Sequence, residues 1–300
     1  MKIEELDLLT QKKTSKNLSE KDWKFSGGEK KIYLKDTRAY GIYHNPQNCI
    51  PLDKIKELYL LNHPGIVKPL GILYDVDGLQ IGESMNAVKD AYILCELFTK
   101  SFKERNKCSL QDQLHVLRCI QDIMNHAHSH DIYIHDGNEM NWLVSYTYKD
   151  VYAIDVGNWQ TPLHPSSFVS IMVKDYLNPV VGKASDYYNL AILVCQLLIG
   201  KHPYEGSHPD FEKYDKVSKV KHSDGTEVVT RPRMEAMARA KVSIFNPKTR
   251  IPVAACYPLD IIPPGLKAWL IQVLEGGERP SPPTNYELLI KTPVMNKSVS

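Results

Sequence analysis

The order of elements predicts an α+β chain, with short antiparallel strands first and helices after. Three observations carry that reading. Residues 23–44 hold three short strand-like runs, at 23–25, 32–34 and 39–43, broken by Ser26-Gly27-Gly28 and by Lys35-Asp36. Residues 109–130 carry an apolar stripe at helical spacing: Leu110, Leu114, Leu117, Cys119, Ile120, Ile123 and Met124. Residues 190–199 are apolar except for Gln196, as a helix buried on every side would be.

Bulk properties narrow the function classes. At 300 residues, 43% hydrophobic and 24% charged, the chain has material for one large or two modest domains of ordinary globular composition. A net charge of +2 gives no general reason to bind nucleic acid. The longest apolar run is far below the roughly 20 residues that a membrane span needs. Six scattered cysteines contain no C-x-x-C pair, so they read as reduced thiols of a cytoplasmic protein, not as a zinc site or disulfide frame. The opening Met1-Lys2-Ile3-Glu4-Glu5 is polar and does not read as a signal peptide.

Taken in order, residues 1–22 show no apolar period and are expected to form a loose leader or a short capping element. Residues 51–62 read as an amphipathic helix with Pro51 near its start and Ile55, Leu58 and Tyr59 on one face. Residues 67–74 and 91–97 are the next strand candidates. Then comes a polar stretch, Ile134-His135-Asp136-Gly137-Asn138-Glu139-Met140-Asn141, followed by Trp142-Leu143-Val144 and by Ala153-Ile154-Asp155-Val156-Gly157. It puts three oxygen-bearing side chains on loops beside two short buried strands. Phosphoryl transfer needs such a set: a carboxylate to take the proton of the attacking hydroxyl, and an Asn and an Asp to hold magnesium against the phosphates of ATP.

These motifs resemble the catalytic loop, H-R-D-x-x-x-x-N, and the D-F-G loop of the protein kinase-like superfamily. The match extends to Ala184-Ser185-Asp186-Tyr187, which opens the apolar helix, to His63-Pro64-Gly65-Ile66-Val67 after the 51–62 helix, and to Arg279-Pro280-Ser281 near the end. The resemblance implies a two-lobed fold, with a small antiparallel-sheet N-lobe over residues 1–98 and a larger helical C-lobe over 99–300. It implies Asp136 as the catalytic base, Asn138 beside the γ-phosphate, and Asn141 and Asp155 as magnesium ligands. Asp186 would hold the catalytic loop through its backbone N–H groups, and His128 would be a structural histidine at a helix end. This spacing argues against reading His126, His128, His130 and His135 as a metal cluster.

On the ATP side, Gly27-Gly28 is either an abbreviated phosphate loop or an ordinary hairpin turn. Residues 91–97 resemble the fifth strand and hinge, so that backbone groups of Glu96 and Phe98 would meet adenine. The strand lysine of the family falls on Gly41. Lys30, on the neighbouring strand as in the with-no-lysine kinases, would stand in for it, since a long-stemmed ammonium can reach one place from two strands. Lys54 occupies the slot of the usual helix glutamate, with Glu57 or Asp53 nearby. His135 occupies the arginine slot that reads a phosphorylated activation loop and cannot make the bidentate fork. Residues 205–250 are a divergent insertion rich in Lys and Arg, with a hairpin turn expected at Ser223-Asp224-Gly225. Residues 281–300 are expected to fray.

The resemblance therefore implies an ATP- and magnesium-dependent cytoplasmic phosphotransferase, a Ser/Thr protein kinase acting on a protein substrate or partner. The alternative is a pseudokinase that serves as a nucleotide-binding or interaction scaffold.

Overall fold

The computed structural model describes residues 1–166, 168–221 and 227–284. Its first part is a seven-stranded antiparallel sheet built from β1 (Lys2–Asp7), β2 (Lys13–Asn17), β3 (Trp23–Ser26), β4 (Lys30–Lys35), β5 (Arg38–Tyr43), β6 (Gly71–Tyr74) and β7 (Gln80–Asn86), in the order β2-β1-β6-β7-β5-β4-β3. Between β5 and β6 lies helix α1 (Leu52–Tyr59). A second sheet of three strands joins β8 (Ala91–Ile93), β9 (Trp142–Ser145) and β10 (Val151–Ala153) in the order β10-β9-β8. The rest is mainly helical: α2 (Lys100–Arg105), α3 (Leu110–His128) and α4 (Lys183–Ile199), a hairpin of β11 (Ser218–Lys221) and β12 (Glu227–Thr230), α5 (Pro232–Arg239), and α6 (Pro264–Ile271) continued by a π-helical turn Gln272–Gly276. The α+β class is thus observed. No helix among the described residues is long and apolar enough to cross a membrane.

The cores follow from the patterns. Helix α3 starts at a reciprocal cap, in which the Ser109 N–H donates to Asp112 and the Asp112 N–H donates to Ser109 Oγ. Its apolar stripe packs on α4, whose residues Leu190, Ala191, Val194, Cys195, Leu197, Leu198 and Ile199 are all fully buried in the largest core cluster. A smaller cluster, Tyr43, Ile50, Ile55 and Ile72, lies under the sheet. Helix α1 contributes Ile55 to this cluster and Leu58 to the large one, so it sits between the two cores. Losing either contact would cost roughly 2–5 kcal/mol on truncation to Ala.

Two expectations need correction. Residues 1–22 are not a loose leader: β1 and β2 form a hairpin that extends the sheet through β1–β6 pairing, with Ile3 and Leu18 buried. An edge hairpin keeps one face in water, so its lysines hide the short alternation of Ile3 and Glu5. Residues 91–97 do not join the large sheet: Ala91–Ile93 pairs with β9, and β7 takes the place between β6 and β5. Gly82, Glu83 and Ser84 make β7 look too polar for a central strand. Its polar side chains find partners across the sheet, Ser84 by donating to buried Glu5 and Glu83 by accepting from Lys30 on Oε1, while Glu83 Oε2 stays buried without one. The more apolar run turns into a 3₁₀ segment Leu94–Phe98 that buries Leu94 and Leu97 in the large core.

The insertion does form a β hairpin, although its turn at Ser223-Asp224-Gly225 lies outside the described residues. Its arginines are engaged at home: Arg231 pairs with Glu205, Arg233 donates to the carbonyls of Glu212 and Tyr214, and Arg239 pairs with Glu235. The tail expected to fray is outside the described residues from 285 onward.

Candidate functional site

Helix α4 builds the first half of the site. Asp186, in its first turn, is fully buried; its carboxylate accepts the Ile134 N–H at 2.9 Å, the His135 N–H at 2.8 Å and His128 Nε2 at 2.8 Å. One turn on, Asn189 accepts the Gly137 N–H at 2.8 Å and donates to the carbonyls of Val173 and Ser185. The backbone of residues 134–137 is therefore pinned from below by buried acceptors that have few alternative partners. His135 takes a left-handed conformation, φ 56°, within this clamp, and its Nδ1 meets Ser166 Oγ at 2.9 Å.

The clamp aims Asp136, which is only 4% exposed. Its Oδ1 accepts the Ser170 N–H at 2.8 Å; its Oδ2 accepts the amide of Asn138 at 3.0 Å and that of Asn141 at 3.4 Å. Burial raises its pKa above the usual carboxylate value, the hydrogen bonds from Ser170 and Asn138 pull it down, nearby Asp155 pushes it up, and the net is up. Asn141 also donates to the Asp136 carbonyl at 2.9 Å, and its own carbonyl accepts the Ile154 N–H at 2.9 Å. That last bond ties the first loop to the second. The next residue, Asp155, has left-handed backbone, φ 57° and ψ 35°, which Asp tolerates better than most residues.

The large sheet supplies the cation. Lys30 on β4 donates to Glu83 Oε1 at 2.8 Å and to Asp155 Oδ1 at 3.0 Å, and its ammonium lies 4.8 Å from the Tyr43 ring centroid. Burial alone would lower the Lys30 pKa, but Glu83 and Asp155 outweigh it and hold the ammonium charged. Register explains how it gets there. Gly41 on β5 pairs with Ile32 on one side and Glu83 on the other. A Cβ at Gly41 would lie 3.4 Å from Lys30 Cδ and 3.5 Å from Glu83 Oε1, so the lysine stem runs across the space the glycine leaves. Gly82 permits the neighbouring approach, because a Cβ there would sit 1.9 Å from the Gly41 carbonyl oxygen.

The structure thus brings Lys30, Asp136, Asn138, Asn141 and Asp155 into one connected group. Gly27 and Gly28 lie in the exposed turn between β3 and β4, with the Gly27 N–H donating to the Lys30 carbonyl at 2.8 Å. Glu96 and Phe98 are not brought into the group: the Glu96 carboxylate turns back to the Ile93 N–H, and the Phe98 carbonyl faces Gly200 at the far end of α4. Glu83 was not anticipated. Its only signal is a charge in the middle of a strand, which becomes informative once the pairing partner is known to be glycine. Glu57 takes a different task from the one suggested by its position. Its two oxygens accept Thr161 Oγ1 at 2.6 Å and the Leu163 N–H at 3.2 Å, which fastens the segment after Asp155 to α1. Arg279 finds its partner in Asp175, through Nε at 2.7 Å and Nη2 at 2.8 Å.

Chemically, two carboxylates, Glu83 and Asp155, face the Lys30 ammonium, and Asp155 also acts electrostatically on Asp136. No group of three or more His, Cys, Asp or Glu is placed to hold a metal among the described residues. The oxygens a cation could meet are those of Asp155, whose Oδ1 accepts from Lys30 and Oδ2 from Asn158, and the amide oxygen of Asn141, whose nitrogen is turned to Asp136. Hard oxygen donors of that small number suit magnesium, which keeps waters and takes ligand phosphates for the rest. No protein-family model matches this chain, and no curated protein matches it.

Proposed function

We propose that the chain is a magnesium-dependent phosphotransferase of protein kinase-like architecture that moves the γ-phosphoryl group of ATP to an alcohol, with a Ser or Thr side chain of a protein as the acceptor. The observation that carries this is the Lys30 bridge. One buried ammonium spans Glu83 and Asp155, and Ile154, next to Asp155, donates to the carbonyl of Asn141, whose amide reaches the buried Asp136. A site that only stabilised the fold would do as well with apolar side chains, since buried ion pairs are a weak source of stability.

In this reading the acceptor oxygen forms a bond to the γ-phosphorus as the bond from that phosphorus to the bridging oxygen of ADP breaks, and the hydroxyl proton passes to Asp136. Burial makes Asp136 a stronger proton acceptor than an exposed carboxylate, and its hydrogen bonds fix its direction. Asn138 orients Asp136 but adds no charge. Lys30 offers its ammonium to the phosphate oxygens while Glu83 holds it in place. Magnesium, held by Asn141 and Asp155, would neutralise phosphate charge. The large sheet followed by helices, with α1 between two cores, supports the reading as two lobes around a cleft. The 87–90 connection from β7 to β8 then takes the place assigned by sequence to 91–98.

A scaffold without transfer activity is favoured by one contact: Ser170 N–H already occupies Asp136 Oδ1. Incubation with ATP labelled at the γ- or the α-phosphate, against Asp155→Ala and Lys30→Met, separates the readings. Transfer of the γ label that falls at least 100-fold in both variants supports phosphotransfer. Transfer of the α label, or no label and no magnesium-dependent thermal shift with ATP, sinks it.

A further inference from the structure

The chemistry above leaves a second buried lysine without a task. Lys54 stands in the first turn of α1 and is 7% exposed. Its ammonium meets no hydrogen-bond or ion-pair partner among the described residues. Glu57, one turn on, only attracts it through space, because both Glu57 oxygens are taken by Thr161 and Leu163. The stem of Lys54 is buried while its ammonium reaches the surface of the cavity described next, where it is free to meet an anion.

Lys54 lines a cavity of about 370 Å³, the size of a small-ligand site, together with Tyr43, Asn48, Gly157 and Asn158. The one acid in the lining, Glu29, is solvent-exposed. Pro51 and Lys54 at the start of α1 line the same space, and the Lys54 N–H is taken by Asp53 Oδ1 at 3.0 Å. The cavity abuts the cluster already described, since Asn158 also donates to Asp155 at 2.9 Å. A point-charge ammonium beside the side-chain amide of Asn48 matches a phosphoryl oxyanion.

We propose that this cavity binds a phosphoryl group, with Lys54 as its cation. The group could belong to a nucleotide, which rests on the function proposed above, or to a free phosphate, which does not. Calorimetric titration of the wild type, Lys54→Met and Lys54→Arg with magnesium ATP, magnesium ADP and inorganic phosphate tells them apart. If the group is the terminal nucleotide phosphate, Lys54→Met weakens ATP at least tenfold and ADP little. If it is free phosphate, the same variant loses inorganic phosphate tenfold and leaves ATP unchanged. Lys54→Arg keeps most of the affinity in either case. Binding that is equal in wild type and Lys54→Met for all three probes overturns the site, as does a wild type that binds none of them. Phosphate binding that needs Lys54 in a protein that ignores ATP overturns the phosphotransfer reading and leaves this site standing. If Lys54→Met does not fold, Asn48→Asp at an exposed position places a like charge in the lining. It should cost tenfold in phosphoryl affinity, and unchanged binding there is also fatal.

Discussion

Two regions hold the proposed site, and they do so differently. On the helical side, Asp186 and Asn189 lie one turn apart on α4 and fasten the loop that carries Asp136. On the sheet side, Lys30, Gly41 and Glu83 come from three strands and meet only because their registers align. The first arrangement depends on helical spacing, the second on pairing between distant segments. A helix presents a fixed geometry wherever it goes, whereas a one-residue slip in a strand turns every side chain to the other face.

The largest expected effect breaks the helical half. Asp186→Ala strands two backbone N–H groups and His128 in the core, so denaturant unfolding should show a loss of about 3–5 kcal/mol. A loss under about 1 kcal/mol would mean that α4 does not hold the loop. Next comes Lys30→Met, which leaves Glu83 buried without its partner and should cost about 3–5 kcal/mol. Adding Glu83→Gln should recover a good part of that. If the two changes are additive in a double-mutant cycle, the cross-strand pair is not the unit described here.

Acid should separate the regions as well. His202 is buried, donates from Nε2 to the Met172 carbonyl and accepts the Tyr204 N–H on Nδ1, so both nitrogens are committed to the neutral ring. Burial lowers its pKa from 6.5 to about 4. The unfolded chain therefore takes up a proton that the folded chain refuses. Stability from this group is full above pH 6.5 and is lost as the pH falls toward about 4. The loss is on the order of 3 kcal/mol. His202→Gln should flatten that window in urea unfolding at stepped pH, and an unchanged slope would remove His202 as its cause. The smallest effect is Gly41→Ala. Its Cβ would meet only ordinary contacts at 3.4–3.6 Å, so the melting temperature should move by no more than a few degrees. Gly41→Leu should instead displace the Lys30 stem and lower stability clearly.

Legibility in the sequence tracks the same divide. Helices α3 and α4, the 134–141 and 153–157 stretches, the loop-holding role of Asp186 and the helix-end position of His128 were readable, because caps, apolar period and short motifs are written within a few residues of one another. Strand β7 was not legible because Glu83 and Ser84 give it the appearance of a polar loop. The opening hairpin was passed over because an edge exposes its lysines. Asp175 could not be named as the partner of Arg279, from which it is 104 positions away in the chain.

The sequence by itself marked helices α1, α3 and α4, the loop stretches that carry Asp136, Asn141 and Asp155, and Lys30 as a candidate cation. Only the tertiary structure decided that Lys30 would meet Glu83 and Asp155, and that Lys54 would be left facing a cavity. The reason is reach. Lys30 lies 53 residues from Glu83 and 125 from Asp155, and such neighbours are chosen by sheet register and core packing, which no local pattern of residues records.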